Sequence, residues 1–182
     1  MLDSHYTNTH VFTQVFNQPD RFGGDEQFAE GLVNRLSILS AAPTSQKDTG
    51  SAPYVKTSVF GGGAIEDSIW NFSGISAPIK VLQDNTYGVG VTVTTPPLPD
   101  TPNFDGTVRS APLIVSANDQ IYPSVALETL RAFYDQPNYQ TRVTPEVGIE
   151  WIRMGRQPPI ETTSTSDVMI TYWNCLLYTS PS

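Results

Sequence analysis

Carboxylates are the one kind of catalytic material that this sequence holds in quantity, with 18 Asp and Glu against 10 Lys and Arg. They gather in three local clusters: Asp25 with Glu26, Glu66 with Asp67, and Glu146 with Glu150. Paired carboxylates suit glycoside hydrolysis, where one group protonates the leaving oxygen while the other attacks or activates water across a cleft. If Val147 to Met154 is a strand, Glu146 and Glu150 point the same way, because their separation is even. The commoner fate of such residues is solvent-facing charge on a half-exposed strand. That is the reading adopted for them.

Other chemistry has less to stand on. A Ser-His-Asp arrangement would need His5 or His10 as its base, and no G-x-S-x-G elbow accompanies them; Gly74-Ile75-Ser76-Ala77-Pro78 only approaches it. Neither histidine has a Cys or second His at metal-ligand spacing. Gly61-Gly62-Gly63 has the small residues of a phosphate cradle, but Ala64-Ile65-Glu66-Asp67 follows where Gly-Lys-Ser/Thr is required, and the acidic pair repels an anion. A flexible bend is expected there. The aromatics Tyr87, Phe104, Trp151, Tyr172 and Trp173 suit a sugar-stacking platform, although core packing is their commoner use. No catalytic, cofactor-binding or metal-ligating residue is therefore assigned, no cofactor is called for, and the chain is not expected to be an enzyme.

The elements that must position these side chains follow from periodicity. Residues 1–22 read as irregular or extended, anchored by Val11, Phe12, Val15 and Phe16. Phe28, Leu32, Leu36 and Leu39 recur at helical spacing and predict a helix over Asp25 to Ser40, with acidic residues toward its N-terminal end and Pro43 stopping it. Ala41 to Pro53 has loop composition. Strands are expected at Tyr54 to Phe60, Ile69 to Phe72, Ile79 to Leu82 and Tyr87 to Thr94. Gln83 to Thr86 turns a hairpin between the last two. In the last strand Val89, Val91 and Val93 face inward, opposite Gly88, Gly90, Thr92 and Thr94. Thr95 to Gly106 holds four prolines in twelve residues and must be a long surface loop, suited to recognition or to rigid support. Pro96-Pro97-Leu98-Pro99 within it has the form of a proline-rich ligand. Leu113 to Ser116 is a short strand. Ser124 to Tyr134 is a second helix, with Leu127, Leu130 and Phe133 or Tyr134 inward. Two strand-like runs, Val147 to Met154 and Val168 to Trp173, flank a polar segment centred on Pro158 and Pro159. Asn71-Phe72-Ser73 is an N-glycosylation sequon, relevant only to a secretory route.

Hydrophobic residues make up 38% of the 182 and charged residues only 15%. The place of the missing charge is taken by turn-forming Thr, Ser, Asn, Pro and Gly. Three Trp, eight Tyr and eight Phe are ample core material, which excludes a disordered chain. A net charge of −8 without a basic stripe argues against direct nucleic-acid binding; Arg153 and Arg156 are flanked by Glu150 and Glu161. No run approaches the ~20 apolar residues of a membrane span. Mostly strands and proline-rich loops with two short helices predict a mainly β fold, an antiparallel β-sandwich with helical excursions, as a single domain over residues 1–174.

The last eight residues, CLLYTSPS, are what one reading frame of a common sequencing-library transposon end encodes: TGT CTC TTA TAC ACA TCT CCG AGC. Residues 175–182 are therefore expected to be a non-native tail, with the natural protein continuing past Asn174 and Met1 open to being an internal residue, so that the chain is expected to be a fragment. The one cysteine, Cys175, falls in that tail, which removes disulfide and thiol chemistry from consideration. MLDSHYTNTHVF lacks the basic and apolar regions of a signal peptide, which means little if the edge is artificial.

Asn138-Tyr139-Gln140-Thr141, followed by Val147-Gly148-Ile149-Glu150-Trp151, resembles the end of the jelly-roll in parvovirus-type capsid proteins, where a Tyr-x-Thr element leads into a last strand reading like Ile-Glu-Trp. Met169-Ile170-Thr171-Tyr172-Trp173 resembles the second extended run that follows there. The likeness covers about the last third of the chain. The Pro-, Thr- and Asn-rich loops between short strands also look like those of picorna-like coat proteins. The resemblance implies a jelly-roll subunit of a virion, partnered by copies of itself or related capsid subunits, without an active site. Its interfaces would lie in loops such as Thr95–Gly106, it would have no membrane contact, and nucleic acid would be met only through segments not in this chain. A carbohydrate-binding or other extracellular β-sandwich is the alternative, and a glycoside hydrolase fragment a third.

Overall fold

The structure, a computed structural model, describes residues 9–46 and 52–171. His5, Tyr172, Trp173 and the 175–182 tail lie outside the described residues.

The chain begins with a strand–helix–strand unit: β1 (His10–Phe12), α1 (Asp25–Leu32) and β2 (Ser37–Thr44), with β1 and β2 parallel. The helix expected to reach Ser40 stops at Leu32. Asn34 follows in the left-handed region at φ 60°, which a helix cannot continue through, and Ser37 to Ala41 are all buried. Such a short buried apolar run is not separable from helix by spacing alone. Phe12 and Phe16, expected as anchors, pack their rings against Phe28 of α1 at 5.3 and 5.2 Å.

Next come β3 (Thr57–Gly61), a 3-10 turn at Glu66–Ser68, β4 (Asn71–Phe72), β5 (Gly74–Ser76), α2 (Lys80–Gln83) and β6 (Gly88–Val91). The expected strand Ile79 to Leu82 is thus mostly helix, and no hairpin joins it to β6. The chain instead passes through α2 from β5, which is antiparallel to β2, to β6, which is parallel to it. Val89 and Val91 are buried as expected, but Gly90 is buried too. A Cβ there would lie 2.5 Å from the Val125 Cα, so only glycine lets the next helix sit on this strand.

The remaining elements are β7 (Ser110–Pro112), β8 (Ile114–Ala117), β9 (Gln120–Pro123), α3 (Val125–Phe133), β10 (Tyr139–Thr144), β11 (Gly148–Arg153), β12 (Ile160–Glu161) and β13 (Asp167–Met169). Asn118 and Asp119, both at positive φ, turn the β8–β9 hairpin. Ser124 caps α3, its Oγ accepting the Leu127 N–H at 3.2 Å. Leu127 points inward as expected. Phe133 and Tyr134 do not: they are 58% and 37% exposed, and the buried face carries Glu128, Arg131 and Ala132 instead.

Among the described residues the strands form four small sheets, none closed: β1–β2–β5 with β6 also on β2; β12–β11–β10–β3; β13–β7; and β4–β8–β9. Parallel pairs occur in three of them (β1–β2 and β2–β6, β3–β10, β4–β8). The antiparallel jelly-roll-like sandwich is therefore incorrect, and the fold is mixed α/β. The physical reason lies in the connections: the crossover through α1 returns the chain in the same direction, and β2–β6, β4–β8 and β3–β10 pair parallel across long stretches of chain, which tight hairpins cannot do. The two runs of the C-terminal region do not pair with each other either, since β11 lies between β10 and β12 while β13 pairs with β7.

Two apolar clusters hold these layers together. One joins α1, α2, β2, β6 and β8 through Leu32, Leu82, Leu39, Val91 and Val115. The other places Leu127 of α3 with Ile114, Tyr139, Val143, Ile149 and Ile152, beneath the β3–β10–β11–β12 sheet. Among the described residues no helix is long and apolar enough to cross a membrane.

Candidate functional site

The four-stranded sheet β12–β11–β10–β3 buries one face only. Tyr139, Thr141 and Val143 on β10, and Ile149 and Ile152 on β11, are at most 1% exposed. Alternation sends Gln140, Arg142, Trp151 and Arg153 to the opposite face. The register puts Phe60, Arg142, Trp151 and Glu161 in one row across all four strands, and Ser58, Gln140 and Arg153 in the next. At the usual strand spacing, Phe60 and Trp151 stand about 10 Å apart. The Arg153 guanidinium lies 5.2 Å from the Trp151 ring centre and donates to Gln140 Oε1 at 2.6 Å. A register shift between Arg142 and Val143 gives Glu150 a place on this same side. There Glu150 accepts from Thr144 Oγ1 and pairs with Arg142 Nε at 3.1 Å.

Strand β3 is the edge of this sheet. Four of its five residues are exposed, including Val59 at 41% and Phe60 at 46%. Its C-terminal end is fixed by close approach rather than loose. A Cβ on Gly61, at φ 102°, would lie 1.8 Å from the Val143 carbonyl oxygen. The expected flexible bend at Gly61–Gly63 is therefore a tight fit against β10. Beside it opens a groove of about 560 Å³ lined by Gly63, Asp67, Thr144, Glu146, Ser164 and Thr165, among others. Asp67 and Glu146, from two of the clusters seen in the sequence, thus come together. Glu146 and Glu150 do not share a strand face as expected: Glu146 sits in the β10–β11 turn at φ 69°, before β11 begins. Asp67 and Glu146 offer a cation or a basic side chain a negative rim. Among the described residues no three His, Cys, Asp or Glu side chains gather as a metal site.

Two polar centres are buried elsewhere, and both are internally satisfied. The Asp167 carboxylate, 4% exposed, accepts from Thr95 Oγ1 at 2.7 Å, Thr165 Oγ1 at 2.5 Å and Trp70 Nε1 at 3.3 Å. Ser110 Oγ donates to Thr95 Oγ1 at 2.8 Å. Buried Asn103 donates to the Thr95 and Ser110 carbonyls, and its Oδ1 accepts the Arg109 and Ser110 N–H groups. These bonds close the Thr95–Gly106 loop into a fixed shape. At its tip Arg109 holds the Asp105 carboxyl well below the usual range. The second centre is Glu128, bonded twice to Arg131 at 2.6 and 2.8 Å. Burial pushes the Glu128 carboxyl up despite this partner. The Arg131 guanidinium also lies 5.7 Å from the Tyr87 ring centre. The Tyr87 hydroxyl donates to Asp135 at 2.9 Å, and that bond holds its own proton more tightly. Burial likewise raises the Tyr139 phenol far above its ordinary value.

Neither centre was read from the sequence, although both left a local trace. Glu128 and Arg131 are three apart on an expected helix, the spacing at which side chains meet. Thr163, Thr165 and Asp167 alternate in a turn-rich segment, and the Asp167 N–H donates to Thr163 Oγ1 at 3.1 Å. The long-range partners Trp70 and Thr95 left none. Of the remaining candidates, Asp25 accepts the Asp20 N–H ahead of α1, and His10 lies on β1 against Ser37. Of the aromatics expected as a platform, Trp151 lies on the open sheet face, while Tyr87 and Phe104 are placed elsewhere, at the α3 ion pair and the loop tip.

No protein-family model, curated protein or solved structure matches the chain.

Proposed function

We propose that this chain is a non-catalytic structural subunit that works by assembling with copies of itself or with related subunits, as in the shell of a virion. The observation that carries this reading is the open β3–β10–β11–β12 sheet. It ends in an exposed strand edge, and it holds on β10 and β11 the residues that resemble coat proteins, Tyr139 to Thr141 and Ile149 to Trp151. The use of the polar side chains supports the same reading. Asp167, Asn103, Glu128, Arg131 and Glu150 spend their hydrogen-bonding capacity inside the protein, whereas apolar Val59 and Phe60 are left outside. An exposed, uncharged strand edge of that kind favours pairing with another chain. Electron microscopy of the expressed protein, extended at both ends by its flanking gene sequence, tests the reading. Uniform closed particles are the expected result, and uniformly dispersed monomers would refute it.

A second reading has its own observation. Phe60 and Trp151 share one row of the open face, and stacked aromatics on a flat sheet suit a polysaccharide chain. Retention on a polysaccharide column that is lost in Trp151→Ala favours this carbohydrate-binding reading over the first.

A further inference from the structure

We infer that the free edge of β3 is a self-docking site, at which a second copy of this chain pairs its own β3 antiparallel about a two-fold axis at Val59. The inference deepens the assembly reading and rests on it.

Exposed strand edges are ordinarily defended by charge, proline, a bulge or shortness. At the opposite edge of this sheet, β12 has only two residues and follows Pro158 and Pro159. Strand β3 has five residues, Thr57-Ser58-Val59-Phe60-Gly61, with no charge and no proline among them. In a protein of net charge −8, an uncharged strand is where two copies can meet without like charges opposing each other.

The sequence of β3 is also complementary to itself. Antiparallel pairing centred on Val59 sets Val59 against Val59, Ser58 against Phe60 and Thr57 against Gly61. Alternation then puts the two Phe60 rings on one face as diagonal neighbours, at about 7–8 Å and within aromatic reach. The two Val59 side chains meet on the other face. Slipping the pairing by one residue breaks both matches.

The ends match in charge as well. Lys56, exposed just before β3, falls opposite Gly62 of the other copy. Gly62 and Gly63 pack against Pro145, a Cβ on Gly62 lying 3.4 Å from Pro145 Cγ. The groove rim of Glu146 and Asp67 begins there. Each copy's lysine therefore reaches the other copy's acidic rim. Parallel pairing would set lysine beside lysine. A two-fold interface makes each such contact twice.

The test uses the full chain with Cys175→Ser. Val59→Cys in this background should oxidise to a covalent dimer, because directly opposed strand residues lie within disulfide reach. A Val147→Cys control should remain monomeric. In sedimentation equilibrium, Lys56→Glu and Phe60→Lys should each weaken self-association by about tenfold or more, and Glu146→Lys added to Lys56→Glu should restore it. If the protein associates and neither substitution weakens it, the β3 inference is overturned and the assembly reading stands. If it remains monomeric at every concentration, both are overturned. If it pairs through β3 but the extended gene product forms no closed particles, only the shell reading falls.

Discussion

The surroundings of Asp167 and the β3 edge put polar groups to opposite uses. At Asp167, the Trp70, Thr95 and Thr165 donors converge from distant parts of the chain onto one buried carboxylate. The network continues through Ser110 toward Asn103. At β3, one side of the strand is bonded to β10 and the other faces away from the sheet, with Val59 and Phe60 exposed. The buried site contains a carboxylate and several hydroxyls, groups used in catalysis elsewhere, yet it is committed to holding the Thr95–Gly106 loop against β13. The exposed site contains almost no reactive chemistry, yet it is free to engage a partner. The two sites differ in unmet bonding rather than in the number of reactive side chains.

That contrast can be broken most forcefully at Asp167. Asp167→Ala leaves the Trp70 and Thr95 donors buried and unpaired, and should cost about 3 kcal/mol or more in a chemical-denaturation experiment. Asp167→Asn keeps one acceptor oxygen and should cost less. Equal losses would mean that shape rather than hydrogen bonding holds the network. A smaller effect, about 1–3 kcal/mol, is expected from Gly61→Ala, which drives a methyl into the Val143 carbonyl and strains a positive φ. Hydrogen exchange should then show β3 loosening while the Asp167 region keeps its protection.

The Glu128–Arg131 pair gives a pH test of the buried side of the comparison. The folded state holds the Glu128 proton more tightly than the unfolded state, whose ordinary value is 4.5. Its contribution is therefore fully present below about that value and is lost as pH rises through the higher folded one. Subtracting the melting profile of Glu128→Gln from that of the wild type should reveal this falling segment. A rising difference would reverse the sign and show that the Arg131 partner outweighs burial. The smallest stability change belongs to the exposed side: Phe60→Ser should alter monomer stability by no more than about 0.5 kcal/mol. A larger loss would show that Phe60 is already engaged within the single chain.

Legibility in the sequence followed the range of the interactions. The second helix was readable because its Ser124 cap and its closing Pro137 are local signals. The alternating valines of β6 were readable for the same reason, as was the loop character of Thr95–Gly106. Ser37 to Thr44 was misread because Leu36 and Leu39 fit a helical stripe, while the burial of the intervening residues comes from strands distant in the chain. Ile79 to Leu82 was misread because packing beside α1 outweighed its strand-forming residues. Of the open sheet face, Trp151 stands out in the sequence but Phe60 does not, since only the β3–β10 pairing brings the two into one row.

By itself the sequence determined the acidic charge, the shortage of charged residues, the loop-rich character of segments such as Thr95–Gly106, and the lack of a histidine or cysteine constellation. These are properties of composition and of neighbours along the chain. Only the tertiary structure decided that strands would run parallel, that Asp167 would meet Trp70 and Thr95, and that Asp67 and Glu146 would share a groove. It also decided that β3 would lie at an edge. Each of these depends on residues tens of positions apart, whose meeting is set by how the helical crossovers fold the sheets together, which no local spacing records.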